Sequence, residues 1–80
     1  MRRDDATLLD IEKAAKSAMD FVQNMDERDF IYDLKTQSAV LHQLTIIGEA
    51  VKRLSDDFRS ENPEIPWRFM AGMRDPSYML

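Results

Sequence analysis

The spacing of its apolar side chains constrains the fold of this chain more than any other feature of the sequence. From the eighth residue they recur in steps of three and four, at Leu8, Ile11, Ala15, Ala18 or Met19, and Val22. Such steps place side chains on one face of an α-helix. We predict a first helix here, with Asp4 or Asp5 as its N-cap. A break is expected near residues 24 to 29, where Asp26 or Asp29 offers the next N-cap.

A longer apolar stripe follows and predicts a second helix over about residues 30 to 59. Its members are Phe30, Leu34, Leu41, Leu44, Ile47, Gly48, Val51, Leu54 and Phe58. At about 1.5 Å per residue this helix would be about 45 Å long, which is more than the first helix covers in an antiparallel pair. We therefore expect a third helix or a second copy of the chain to cover the surplus, which is made up of Leu44, Ile47, Val51 and Leu54.

Two prolines mark the end of the second helix and the start of another. Pro63 lacks an N–H and disfavours helical geometry at Asn62, so the second helix is predicted to end at residues 60 to 63. Pro66 suits the first turn of a short third helix. The apolar face of that helix would hold Trp67, Met70 and Met73 or Arg74. The fold class expected is all-α: residues 1–80 form one domain, an antiparallel bundle of about three helices.

Size and charge limit how this domain is stabilised and what it binds. With 80 residues and no cysteine, the chain forms neither disulfides nor thiolate metal sites, and so small a domain gains from a partner, which predicts a homodimer. The net charge of −4 disfavours broad attraction to nucleic acid. A local basic cluster could still contact RNA, although scattered basic side chains on helices are more often solvated. Its candidate members are Lys52, Arg53, Arg68 and Arg74.

The beginning of the chain does not have the pattern of a secretion signal. Met1-Arg2-Arg3 is followed by Asp4-Asp5 rather than by an uninterrupted apolar region. No run of about 18 apolar residues, as a membrane helix requires, occurs in the sequence. The expected location is cytoplasmic.

His42 is the only imidazole of the chain and lies in the middle of the predicted second helix. A lone ring does not make a metal site, and there is no cysteine or second histidine to complete one. No nucleophilic serine or cysteine lies at a recognisable spacing from it. We expect no metal and no cofactor, and interpret His42 as a packed or solvated side chain.

Two motifs, taken in order, resemble the HepT-like branch of the HEPN ribonucleases. The first is Ile46-Ile47-Gly48-Glu49-Ala50, in which a glycine inside a helix costs about 1 kcal/mol relative to alanine and indicates a close neighbour. The second is Ile-Pro-Trp-Arg-Phe-Met-Ala-Gly-Met-Arg-Asp at residues 65 to 75. The resemblance covers about Leu8 to Asp75. It implies a HEPN-like helical fold and metal-independent cleavage of RNA.

The resemblance also implies roles for individual residues. Arg74 would bind the scissile phosphate and stabilise its growing charge, Asp75 would position the arginine or the base, and Glu49 would hold Arg74 from the wall of the cleft. Other interpretations remain open. Without the family resemblance, Arg74 and Asp75 are a routine solvated pair at a helix end, and Glu49 is equally typical of an ion pair with Lys52 or Arg53.

The catalytic motif of the family continues beyond the arginine with four to six residues, a histidine and often x-Tyr. The first position for the histidine holds Met79, and the sequence ends at Leu80. Tyr78 stands four residues after Arg74, whereas the family tyrosine that receives AMP from an MntA-type nucleotidyltransferase stands seven after it. The pattern is that of a C-terminally truncated, frame-shifted or deliberately shortened copy, and Tyr78 is interpreted as an aromatic residue in a loose tail.

Two functions are compatible with these features. The first is the toxin subunit of a HEPN/nucleotidyltransferase toxin–antitoxin system, a ribonuclease by family. It would be a homodimer with both Arg74 side chains facing a shared cleft, with RNA as substrate and the nucleotidyltransferase as antitoxin, and it would be inactive here because the histidine is absent. The alternative is a catalytically dead helical binding module that pairs with an intact HEPN chain or with the nucleotidyltransferase.

Overall fold

The computed structural model describes residues 3–73, which are folded into helices without any strand. The helices are α1 (Arg3–Phe21), α2 (Glu27–Ile31), α3 (Leu34–Arg53), α4 (Asp56–Glu61) and α5 (Trp67–Gly72). The all-α prediction is confirmed. None of these described helices is long and apolar enough to cross a lipid bilayer.

α1 and α3 form an antiparallel pair, as predicted for the first two long helices. The guanidinium group of Arg3, at the start of α1, donates to the carbonyl oxygen of Arg53 at the end of α3, over 3.2 and 2.8 Å. Further along α1, the Asp10 carboxylate lies 3.6 Å from the Arg53 guanidinium group. Ala14 and Ile47 meet in the core between the two helices. The first helix was thus correctly predicted, and Met19, one of two alternatives for its inner face, is exposed.

The predicted single helix over residues 30 to 59 is wrong, because the chain breaks it twice. The first break falls at Tyr32 and Asp33, between α2 and α3. The Asp33 carboxylate caps α3 by accepting hydrogen bonds from the backbone N–H of Thr36 at 3.0 Å and from its hydroxyl at 2.7 Å. Both bonds lower the pKa of Asp33, and the bond from the Thr36 backbone has the larger effect. Competition from such a cap ends one helix and starts another.

The second break falls at Leu54 and Ser55, between α3 and α4. The Ser55 hydroxyl accepts a hydrogen bond from the backbone N–H of Phe58 at 3.1 Å and so caps α4. Ser55 is itself held by Asp4, whose carboxylate accepts from its backbone N–H and its hydroxyl. The prediction that Asp4 or Asp5 caps α1 is therefore wrong, since both lie inside its first turn and Asp4 ties that turn to the start of α4.

α4 and α5 close one end of the bundle. α4 ends at Glu61 with Asn62 as its C-cap, which confirms the predicted end before Pro63. α5 is short, as predicted, and begins one residue after Pro66. Its Trp67, Met70, Ala71 and Met73 pack against the buried core of Ala14, Ile47 and Val51.

This packing changes the argument for a dimer. Val51 and Leu54 are 0% and 2% exposed, and Ile47 is 6% exposed, within a single chain. α1 and α5 together cover this part of the apolar stripe. They suffice because α3 is shorter than the single helix predicted over residues 30 to 59. Of the two coverings expected for the surplus, a third helix is the one observed, so the prediction that a homodimer buries Ile47, Val51 and Leu54 is wrong. Leu44 is half-buried.

Candidate functional site

The described structure ends at Met73, so Arg74, Asp75, Tyr78 and Met79 lie outside it. Met73 is the C-cap of α5 and packs against the core. Arg74 and Asp75 follow directly in sequence on this packed residue.

Trp67 fixes the start of α5 against the end of α4. Its indole N–H donates to the carbonyl oxygens of Arg59, at 3.2 Å, and Asn62, at 3.0 Å. Its ring packs on Phe58 with centroids 5.9 Å apart and planes tilted by 59°. Asn62 adds a side-chain hydrogen bond to the Phe58 carbonyl oxygen at 2.9 Å. The loop between the helices is thus closed by polar bonds around one aromatic pair, which positions α5 and the residue that follows it.

An open groove runs between α4 and α5 beside this aromatic pair. Its lining comprises Asp56, Arg59, Ser60, Trp67, Arg68 and Ala71. Two guanidinium groups next to an indole ring are a combination suited to a phosphodiester and its adjoining base, because guanidinium forks meet phosphate oxygens and aromatic faces stack on bases. Arg59 forms an ion pair with Asp56. Within residues 3–73 the exposed Arg68 has no ion pair.

The basic residues predicted from the sequence separate into two places. Arg68 lies in the groove. Lys52 and Arg53 do not line it, and Arg53 instead pairs with Asp10 on α1. Arg59 was missed, because the sequence pattern assigned it to the end of one long helix rather than to a short helix facing Trp67.

Comparison with known proteins settles the family. The sequence profile of the HepT-like family, described as ribonuclease HepT-like, matches residues 11–76. The chain belongs to the HepT-like ribonuclease family. It is 46% identical over 70 residues to a protein of Methanocaldococcus jannaschii provisionally named an RNase, covering 88% of this chain and 58% of that protein. It is 48% identical over 68 residues to the "Probable ribonuclease HepT" of Thermococcus cleftensis, covering 85% of this chain and 62% of that one.

A second M. jannaschii protein, also provisionally named an RNase, is 37% identical over 70 residues, covering 88% of this chain and 64% of its own length. The HepT-like chain described here therefore spans less than two thirds of the length of each of these relatives. No solved structure matches it. The match to the HepT-like profile includes Arg74 and Asp75, although their geometry lies outside residues 3–73.

The other residues singled out in this HepT-like chain lie on α3. Gly48 is buried, as its position inside a packed helix predicted, and the adjacent Glu49 is exposed. Within residues 3–73 Glu49 forms no ion pair, so the alternative of a pair with Lys52 or Arg53 is not observed. The predicted role of Glu49 in holding Arg74 falls outside the described residues. His42 is exposed, and the described part of the chain brings no three His, Asp or Glu side chains together around a possible metal position.

Proposed function

We propose that this chain is the toxin subunit of a HEPN/nucleotidyltransferase toxin–antitoxin system and that its site is built for metal-independent cleavage of RNA. The observation that carries the proposal is the match of the HepT-like profile through α5 and on to residue 76, which takes in Arg74 and Asp75. The names of the relatives support the same class of reaction. RNA is the proposed substrate, and the cytoplasm the proposed location.

Arg74 is the proposed catalytic residue. Its guanidinium group would hold two oxygens of the scissile phosphate and stabilise the charge that develops on them. Asp75 would orient Arg74 or the base, and Glu49 would support Arg74 from α3. Arg68 and Trp67, at the edge of the α4–α5 groove, provide a place for the neighbouring backbone and base of a single strand.

The general acid or base of the reaction has no candidate near this groove within residues 3–73. His42 is the chain's only histidine and does not line the groove. An acid–base group contributes typically about 10²–10⁴-fold to the rate. A polypeptide of residues 1–80 is therefore proposed to bind RNA without turning it over.

A homodimer is part of the proposal, with the two Arg74 side chains facing one cleft. Such an interface should bury more than about 1,000 Å² in total. A nucleotidyltransferase of the MntA type is the proposed antitoxin partner. The second candidate function is a catalytically dead helical module that pairs with an intact HEPN chain or with that nucleotidyltransferase. Met79 stands at the first position at which the family histidine could fall.

The test compares residues 1–80 with the same chain extended by a HepT-like His-x-Tyr segment, on a labelled single-stranded RNA in the presence of EDTA. We expect cleavage only by the extended form and loss of cleavage on Arg74→Ala. Arg28→Ala, a change on α2 outside the groove, is the matched control and should remain active. A folded extended form that binds RNA or the nucleotidyltransferase without cutting would support the binding module instead. Cleavage by residues 1–80 alone would contradict the proposed need for the histidine, and His42→Ala would then identify the base.

A further inference from the structure

The exposed apolar surface of this protein is concentrated at the end of the bundle opposite to the α4–α5 groove. Seven large apolar side chains are exposed in residues 3–73, and five of them lie at this end. We call these five the tip; they are Met19, Phe21, Ile31, Tyr32 and Leu34. Because α1 and α3 are antiparallel, the last turn of α1 and the first turn of α3 lie at the same end. Exposures of 80% at Tyr32, 73% at Leu34 and 71% at Met19 indicate that intramolecular packing does not use these side chains.

The backbone of the tip is held in place by polar contacts. Gln37 of α3 donates from its side-chain amide to the carbonyl oxygens of Phe30 and Ile31, both at 2.8 Å. Asp26 and Asp29 form a capping box at the start of α2, over 2.8 and 3.3 Å. Hydrogen bonds thus fix the backbone at both ends of α2, while the side chains of Ile31 and Tyr32 stay exposed. Side chains presented on a fixed backbone lose less freedom when a partner binds, which favours a docking surface over a segment waiting to fold.

The charge around the tip indicates what kind of partner fits. Residues 19 to 35 contain five carboxylates and two basic side chains, a net charge of −3, whereas the whole chain carries −4. The carboxylates are Asp20, Asp26, Glu27, Asp29 and Asp33. The shallow depression that holds Ile31 and Tyr32 is also lined by Asp26, Glu27 and Arg28, so two carboxylates outnumber one guanidinium group there. An apolar patch with an acidic rim complements an apolar knob surrounded by lysine and arginine, and complementary potentials of this kind select partners.

We propose that the tip docks a protein segment with an apolar anchor flanked by basic side chains. The anchor would lie in the depression formed by Asp26, Glu27, Arg28, Ile31 and Tyr32, with the flanking basic groups toward the carboxylates rather than toward Arg28. A second copy of this chain fits poorly, because two-fold pairing of the tip would place acidic rim against acidic rim. RNA fits poorly for the same reason of charge. This docking surface does not depend on the proposed ribonuclease function, since no residue of the tip lies in the α4–α5 groove.

The test uses a synthetic amphipathic helix with leucines along one face and lysines elsewhere, titrated into the isotope-labelled full chain and followed by NMR. Amide signals of residues 19 to 34 are expected to shift. Tyr32→Ala should weaken binding by about tenfold, as expected for loss of a central aromatic anchor. Phe69→Ala, an exposed aromatic on α5, is the matched control and should bind as the unaltered chain does. Because Tyr32 is so exposed, its variant should melt at an unchanged temperature.

Charge is tested separately. A peptide with glutamates in place of the lysines should bind at least about tenfold more weakly. Glu27→Gln should weaken binding of the lysine peptide and reduce its salt dependence, and Glu64→Gln should change neither. Equal binding of the two peptides, or an unchanged affinity of the Tyr32 variant, would overturn the proposal. So would sedimentation showing that the chain self-associates and that Tyr32→Ala abolishes this, since a second copy would then be the occupant. Shifts of the same signals by RNA would overturn it as well.

Discussion

The carboxylate of Asp4 accepts two hydrogen bonds from Ser55, one from the backbone N–H at 3.0 Å and one from the hydroxyl at 2.6 Å. The two bonds join the first turn of α1 to Ser55, the N-cap of α4, whose hydroxyl also accepts from the backbone N–H of Phe58. One carboxylate therefore stabilises two helix junctions that lie 51 residues apart in sequence. The end of the bundle that carries the α4–α5 groove depends on this contact.

Asp4→Ala should destabilise the protein more than a typical surface change. It leaves the half-buried backbone N–H of Ser55 without this acceptor, and loss of such a partner costs about 1–3 kcal/mol. Urea denaturation followed by circular dichroism measures the free energy of unfolding. Asp5→Ala is the matched control: it removes an exposed charge from the same turn and should cost no more than about 1 kcal/mol. Equal losses for the two variants would mean that the contact with Ser55 adds no stability.

The two breaks in the predicted second helix show what apolar periodicity can and cannot reveal. The stripe stays in phase across Asp33 and Ser55, so period alone predicts one helix. Both residues are of types that commonly cap the start of a helix, and Ser55 precedes two acidic residues of a first turn. These local features indicate two helix starts that apolar periodicity does not show. The bond between Ser55 and Asp4 could not be predicted, because it depends on how α1 lies against α3.

The pH dependence of stability should include a contribution from Asp33. Hydrogen bonds from Thr36 lower its pKa in the folded protein below the ordinary 3.8. A carboxyl whose folded pKa is lower than its unfolded pKa stabilises the fold above the unfolded value, and this contribution is lost as pH falls through the folded value. Asp33→Asn should therefore show a shallower fall in the urea midpoint with pH below about pH 4 than the unaltered chain. Asp57→Asn, a change at an exposed carboxylate, should leave the slope as it is.

Trp67→Phe should loosen α5 while keeping an aromatic ring in place. The substitution removes the indole N–H and leaves the carbonyl oxygens of Arg59 and Asn62 without it, which should cost about 1 kcal/mol. Amide hydrogen exchange is expected to speed up in α5 more than in α1 or α3. Phe69→Ala, on the same helix but 58% exposed, should have little effect. Uniform faster exchange across all helices would show that Trp67 stabilises the whole bundle rather than positioning α5.

The candidate site was only partly predictable. Arg68 was identified as a basic candidate from the sequence and lies in the groove, whereas Lys52 and Arg53 do not. Arg59 was missed because its neighbourhood depends on the turn at Asn62 and on the bond that Trp67 makes to it. The assignment of Arg74 rests on the family motif, since no pattern of charge or periodicity separates it from a solvated arginine.

Arg68→Ala should weaken RNA binding in a way that depends on salt. If Arg68 contacts one phosphate of a single strand, its removal lowers the slope of log affinity against log salt by about 0.7. Fluorescence anisotropy with a labelled oligonucleotide at several salt concentrations measures this slope. Arg28→Ala, on α2 in the depression beside the tip, changes the net charge equally and should alter the slope much less. Identical slopes for the two variants would mean that net charge rather than the α4–α5 groove governs binding.

Incubation of the 80-residue chain with a cognate nucleotidyltransferase and ATP should give no AMP-sized increase in intact mass. Transfer requires a tyrosine hydroxyl at the position that the partner enzyme recognises, and Tyr78 stands three residues earlier than the tyrosine of the family motif and two after Pro76. A chain extended to carry the family's His-x-Tyr should gain mass, and peptide mapping should place it on the added tyrosine. The chain's other tyrosine, Tyr32, is 80% exposed and serves as an internal control for non-specific transfer. AMP mapped to Tyr78 alone would contradict the prediction and show that the position seven residues after Arg74 is not required.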